Sequence, residues 1–409
     1  MRYLIIGASA AGISAADTLR KIDKQSEIIM VSEDKAVYSR CMLHHYVSKH
    51  RTLEKLSFVE EDFFSKRNIQ WISGVRVIGV SPQSKVVKLS NGNEISYDKL
   101  LIATGASATI PPITNLREGK NVSTLRDIDD AYKISELAST GKKAVVVGAG
   151  LVGIDAVVGL HERGIHVSVM EMADRILPLQ LDKEAAGAYE KAMKSKNIDI
   201  YTNVSVVSVD LDQNSNITSV NLKDGRKIPC DFVVVAAGVR ANVEFLEGSG
   251  IELNRGVVVN EKLETSHKDI YAAGDVCGTG IWPIATKQGR YAAYNMSSKE
   301  EKTFDDYFAF KNTLNFFGIK TVSIGNIIEE ENDSVEIIKN SKVYKKIVHK
   351  DGIIKGILFQ NDIDYCGTWT EIIKNKTNVS GLGKSLFDIT YGDFFSINEK
   401  GAYGRIYIE

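Results

Sequence analysis

Short apolar runs that end in small residues and glycine recur along this chain, and each predicts a buried strand entering a tight turn. Tyr3-Leu4-Ile5-Ile6 runs into Gly7, and Ala144-Val145-Val146-Val147 runs into Gly148. The octets Asp98 to Gly105 and Asp231 to Gly238 share one pattern, an apolar strand closed by two small residues and a glycine. Each octet closes a segment opened by one of the glycine turns, with helical and strand patterns of similar order between. An internal repeat of two doubly wound α/β units accounts for this arrangement.

The same reading divides the chain. Pro111-Pro112 marks the exit from the first unit, residues 1–111, and residues 112–238 form the second. Residues 239–304 return to the first unit, because Thr265 to Val276 reads as a piece of its site. A helix beginning near Pro283 carries Gly289, Ala292 and Ala293, small enough for close packing. A charged linker, Ser297 to Asp306, leads to residues 305–409. Alternation over Val343 to Val348 and Ile353 to Phe359, then a helical pattern over Trp369 to Lys374, predicts an α+β domain there.

Composition excludes more than it selects. A chain of 409 residues exceeds one compact core. With 44% hydrophobic and 25% charged residues and a net charge of −1, nothing points to nucleic acid or an anionic membrane. No stretch approaches the roughly 20 apolar residues of a membrane span. The run before Gly7 reads as a strand rather than a secretory signal, so the expected location is cytoplasmic. Cys41, Cys230, Cys277 and Cys366 are widely separated, which argues against a metal knuckle or a local redox disulfide.

The glycine turns carry the chemistry. In the first, Gly7 permits the bend, Ser9 is small enough for backbone N–H groups to approach a pyrophosphate, and Gly12 lets the helix pack on the strand. Glu33 follows at the end of the Ile28 to Ser32 strand, where an acid accepts hydrogen bonds from a ribose. The second turn has Gly148, Gly150 and Gly153, and Glu171 ends the strand Val167 to Met170. A carboxylate there favours NADH over NADPH, although Arg175 lies close enough to blur the choice. Asp275, after Ala273 and Gly274 at a strand end, is a third anchor, placed for a polyol and phosphate. Two nucleotide sites in one chain imply electron transfer between them.

Together these motifs resemble the flavin-dependent pyridine nucleotide–disulfide oxidoreductase superfamily over residues 1 to about 300. The carriers are G-A-S-A-A-G, A-T-G at 103 to 105, the second glycine turn, R-I-L-P at 175 to 178, and A-A-G-D-V. Tyr38-Ser39-Arg40 and the stretch from Trp282 to Met296 look closest to the NADH–rubredoxin reductase and nitrite-reductase flavin-domain branch. The resemblance implies FAD in the first unit, held by Gly7, Ser9, Ala10, Ala11, Gly12, Glu33, Arg40, Val77, Ala103, Thr104, Gly105, Gly274 and Asp275. It implies NADH in the second, held by Gly148, Gly150, Leu151, Val152, Gly153, Asp155 and Glu171. Asp155 stands where that family carries a glutamate near the nicotinamide. The helix after Pro283 would aim its N-terminus at the flavin pyrimidine edge, and the C-terminal domain would lie over the flavin and contribute to a homodimer interface.

Cys41 resembles the single redox cysteine of coenzyme A-disulfide reductases and NADH peroxidases. Arg40 and a helix over Met42 to Val47 would lower its pKa. Equally, it reads as a cysteine packed beneath FAD. Ala10 stands where the peroxidases carry a histidine, which disfavours that chemistry. His44 and His45 could serve as a proton donor or as metal ligands, but they read better as surface or core residues, since neighbours on a helix point about 100° apart and rarely share one ligand. The lysines at 339, 342, 345, 346, 350 and 355 read as a solvated sheet face, or as a basic surface steering an acidic carrier. The leading expectation is an NADH-dependent FAD oxidoreductase serving a small redox protein such as rubredoxin, a partner subunit or a small-molecule acceptor. Disulfide reduction through Cys41, and a flavin-binding sensor or interaction protein, are the alternatives.

Overall fold

A computed structural model describes residues 1–305, 311–397 and 403–405. Asp306 of the charged linker, and residues 307–310, 398–402 and 406–409 of the expected C-terminal domain, lie outside the described residues. The first parallel sheet has the order Ile270–Ala272, Lys99–Ile102, Arg2–Ile6, Glu27–Ser32, Gln70–Ser73. Its central strand is covered on both faces, with Leu4 and Ile5 fully buried, so it reads as an unbroken apolar run rather than an alternating one. Helices α1 (Ala10–Ile22) and α3 (Phe63–Lys66) accompany it, while α2 (Leu43–Val47) packs against helices of the second unit. The return of the chain is visible in the edge strand Ile270–Ala272, which pairs in parallel with Leu100 to Ile102.

The second parallel sheet repeats the design in the order Asp199–Tyr201, His166–Met170, Lys143–Val147, Phe232–Val235, Val122–Thr124. Its helices are α4 (Ile128–Leu137), α5 (Leu151–His161) and α6 (Lys183–Lys194). Asp127 and Asp182 cap α4 and α6 by accepting from the N–H groups of Asp130 and Ala185 at 2.9 and 3.0 Å. A two-stranded antiparallel ribbon, Ala106–Ala108 with Val239–Ala241, joins the two units.

Helix α7 (Trp282–Ser297) then lies along α1. The small residues seen in the sequence explain the fit, since a methyl group on Gly289 would overlap the Ala11 carbonyl. The remaining described chain forms an antiparallel sheet, Lys311–Phe316, Ile319–Gly325, Ile353–Gln360, Tyr344–Lys350, Ser334–Lys339. Helix α8 (Cys366–Lys374) covers one face through Trp369, which packs edge-on against Phe359. Where the resemblance implied a seat over the flavin, the described contacts anchor this sheet to α6. Tyr189 Oη donates to the Ile319 carbonyl at 3.0 Å, Tyr344 Oη to Asp182 at 2.6 Å, and Gln360 Nε2 to the Ala185 carbonyl at 3.2 Å.

Candidate functional site

The two glycine turns are built alike, contact for contact. Gly7 N–H donates to the Val31 carbonyl at 2.7 Å, and Gly148 N–H to that of Met170 at 2.8 Å. Gly7 and Gly148 have φ of 108° and 103°, a region that disfavours any side chain, and a methyl on either would strike the carbonyl of Ala103 or Ala236. Gly12 and Gly153 sit directly over the carbonyls of Gly7 and Gly148. The turns begin α1 after Ser9 and α5 after Gly150, so unpaired N–H groups converge there. A methyl group on Gly150 would meet no protein atom within 4 Å, which leaves room for a pyrophosphate. Both cradles fit a dinucleotide.

Around the first turn, Ala10, Ala11 and Ala103 are buried. Thr104 Oγ1 donates to the Asn242 carbonyl at 2.9 Å, and Asn242 Nδ2 returns a bond to the Thr104 carbonyl at 2.9 Å. Asn242 N–H also donates to the Gly105 carbonyl. Glu33 is exposed at the mouth and pairs with Arg76 at 2.6 Å, next to Val77, which starts a short strand. Gly274 N–H donates to Gln288 Oε1 of α7 at 2.8 Å, and Asp275 accepts from Arg126 at 2.7 Å. Arg126 also donates to the Ala106 carbonyl and so spans the junction. Arg126, Asn242 and Gln288 are functional candidates that the sequence pattern alone does not single out. The strand end Thr124-Leu125-Arg126 ahead of the Asp127 cap was the available signal for the first of them.

At the second turn, Glu171 accepts from the N–H groups of Ala149 and Ala173, each at 2.8 Å, so its carboxylate is tied to the turn itself. Val152 remains 40% exposed, and Leu151 is half-buried. Arg175 is occupied by Asp174 and by the carbonyls of Pro178 and Leu181, so it does not reach out for a 2′-phosphate.

The surroundings of Cys41 differ from those the sequence led us to expect. Cys41 lies inside a 3₁₀ turn, Arg40–Met42, and α2 after it has only five residues. Arg40 turns away to Asp34 at 2.6 Å and to the Arg126 carbonyl at 3.0 Å. Cys41 keeps an open solvent-facing side, yet the surrounding protein pushes its pKa up, and Asp155 and Asp275 add to this against Arg126. These influences favour the thiol over an activated thiolate. His44 and His45, expected to diverge, have ring centres 4.1 Å apart, and His44 Nδ1 lies 3.6 Å from Asp155. Burial pushes Cys230 and Cys277 up to about 12 and Cys366 up to about 11, as for packing thiols. Of the lysines, four are paired: Lys339 with Glu184, Lys345 with Asp362, Lys346 with Glu329, and Lys355 with Asp333. That describes a compensated sheet face rather than a steering patch.

Paired dinucleotide turns, one opening each unit, suit a two-nucleotide oxidoreductase. Residues 1–289 match the family described as pyridine nucleotide-disulphide oxidoreductase, and residues 311–377 match the rubredoxin NAD+ reductase C-terminal domain. The chain belongs to the pyridine nucleotide-disulphide oxidoreductase family and is an FAD- and NADH-using flavoprotein oxidoreductase. It is 30% identical over 397 residues to the NADH-dependent phenylglyoxylate dehydrogenase subunit epsilon of Aromatoleum evansii, covering 93% of each chain. It is 30% identical over 369 residues to the NADH-rubredoxin oxidoreductase of Clostridium acetobutylicum, covering 89% of each. The solved NAD-dependent persulfide reductase from A. fulgidus superposes with a TM-score of 0.84 at 26% identity, covering 92% of this chain and 77% of that one. No helix among the described residues is long and apolar enough to cross a membrane.

Proposed function

We propose that this chain takes hydride from NADH onto FAD and passes the electrons singly to a small redox protein of the rubredoxin kind. The observation that carries the reading is the shared cleft. Arg126 of the second unit is ion-paired with Asp275 of the returning segment, and Asp155 of α5 lies 3.6 Å from His44 of the first unit, three residues after Cys41. The rubredoxin reductase-type C-terminal segment and the likeness to an NADH-rubredoxin oxidoreductase support the acceptor class. When bound, the two cofactors supply hydride transfer and the change from paired to single electrons. The chain supplies orientation.

In this reading Ser9, Ala10, Ala11 and Gly12 present N–H groups to the FAD pyrophosphate, and Gly7, whose own N–H is held by Val31, gives the bend that admits it. Glu33 and Val77 meet its adenosine, and Arg40, Ala103, Thr104, Gly105, Gly274 and Asp275 flank the rest. Gly148, Gly150, Leu151, Val152 and Gly153 receive NADH, with Glu171 at its ribose and Asp155 toward the nicotinamide. The domains are 1–111 with 239–304 for FAD, 112–238 for NADH, and 305–409 as an α+β interface domain. A homodimer through that last domain is supported by Ile337 and Ile338, which stand exposed on its edge strand. We place the protein in the cytoplasm.

Disulfide reduction through Cys41 is the second reading. Exposure of the thiol in the cleft and the persulfide reductase likeness favour it, while the raised thiol pKa opposes it. The test is an anaerobic NADH titration of the yellow protein followed by a panel of acceptors. Bleaching by NADH and rapid recovery with rubredoxin are expected. Recovery with low-molecular-weight disulfides alone would select the second reading. A bleached form that no acceptor reoxidises would point to the sensor alternative.

A further inference from the structure

A row of titratable side chains runs from the cleft to the surface. α2 approaches α5 closely because residue 159 is glycine, where a methyl group would lie 2.9 Å from the His44 carbonyl. That approach brings His44 Nδ1 to 3.6 Å from Asp155 Oδ1, just beyond a direct hydrogen bond and close enough for a small movement to make one. The Nδ1 atoms of His44 and His45 are both enclosed and without a hydrogen-bond partner. The two rings are 4.1 Å apart, and the His45 ring is 6.3 Å from that of His50. His50 Nδ1 lies 3.4 Å from Glu162 Oε2, where both side chains reach solvent.

We propose that Asp155, His44, His45 and His50 form a proton relay between the cleft where the two nucleotides meet and bulk solvent. The proposal rests on the reductase reading above. A hydride is one proton and two electrons. When the electrons leave singly to two oxidised carriers, NADH becomes NAD+, two carriers are reduced, and one proton per NADH must leave the site. The Asp155 carboxylate takes that proton and hands it through the imidazoles of His44, His45 and His50 to water.

The environment suits this task. Burial pushes Asp155 up to about 7, so near neutral pH it can hold or release a proton. Burial, then His45, Arg51 and His50, push His44 down to about 4, which keeps its ring neutral, with one nitrogen to accept and one to donate. The proton thus rests on Asp155 and crosses His44 transiently. His45 is also lowered by burial and Arg51, with Glu162 opposing. Facing Cys41 at the inner end are Asp155, Asp275 and Arg126. A metal reading of the row fails, because no group of three or more suitable ligands converges among the described residues.

The holoprotein tests this by stopped flow. It is reduced with NADH, then mixed anaerobically with ferricyanide in weak buffer containing a pH-indicator dye. Flavin colour reports departing electrons, and the dye reports the emerging proton. In the native protein the two traces are expected to coincide. In His44→Gln and in His45→Gln the dye should lag the colour by about tenfold or more, and added imidazole should close the gap. Dye and colour in step in both variants would overturn the relay, as would a lag that imidazole leaves untouched. Should His44→Gln not fold, His45→Gln decides. A native protein that NADH cannot bleach would overturn the reductase reading itself, and that result is distinct from bleaching followed by no lag.

Discussion

The two glycine turns share a backbone plan but differ in what covers them. Over the first lie Gly274 and α7, brought back from residues 239–304, with Gly289 pressed on the Ala11 carbonyl and Gln288 bonded to Gly274. Nothing comparable covers the second among the described residues, where Val152 stays 40% exposed and the Gly150 approach is open. Enclosure of the first suits a nucleotide that stays, and openness of the second suits one that exchanges in each cycle. The contrast comes from the third segment of the chain rather than from the turns themselves.

The sharpest way to break this comparison is to add one carbon on each side. Gly289→Ala places a methyl into the Ala11 carbonyl, where backbone meets backbone and nothing flexible can yield. Colourless or aggregated protein is the expected outcome, scored by flavin absorbance after purification. Gly150→Ala meets no protein atom within 4 Å, so folding and flavin content should be native. Its KM for NADH should rise about tenfold, because the methyl stands where the pyrophosphate approaches. A yellow, well-folded Gly289→Ala protein would show that α7 is no lid on the first site.

Next in size is Arg126→Leu. It strips Asp275 of a partner 2.7 Å away at a site where both side chains are largely enclosed. Flavin should be lost about tenfold more readily on ultrafiltration, with NADH binding nearly unaffected. Smaller effects separate the two acids proposed to face a ribose. Glu171→Ala releases the N–H groups of Ala149 and Ala173, and should raise the KM for NADH roughly fivefold to tenfold while narrowing the preference over NADPH. Glu33 engages only the exposed Arg76, so Glu33→Ala should change flavin retention by less than about fivefold.

These contrasts also separate what the chain's pattern could reveal from what it could not. Both turns, their strands and the packing face of α7 were legible because close backbone approach leaves no alternative to small residues at fixed spacing. Arg126 and Asn242 were not, since their partners Asp275 and Thr104 lie 149 and 138 positions away and only the folded chain introduces them. Arg40 misled for the same reason. It neighbours Cys41 in sequence, but its guanidinium is spent on Asp34 and on a carbonyl of the second unit. The lysine group was legible as a cluster, while the acids that neutralise it come from α6 and from neighbouring turns.

The smallest expected effect concerns Cys41, which sits where the enclosed and open sites meet. Burial, and then Asp155, push its pKa up from the ordinary thiol value, so the thiolate population is low at neutral pH and grows only at higher pH than for a free thiol. Alkylation by iodoacetamide should therefore be slow at pH 7 and still climbing beyond pH 9. A plateau below pH 7 would instead reveal an activated thiolate. Under the carrier reading, Cys41→Ser should reduce a rubredoxin-type acceptor within about twofold of the native rate, because no electron passes through sulfur on that route. A loss beyond about tenfold, together with disappearance of a long-wavelength absorption band on NADH addition, would move the chemistry from the flavin alone to the flavin and the thiol together.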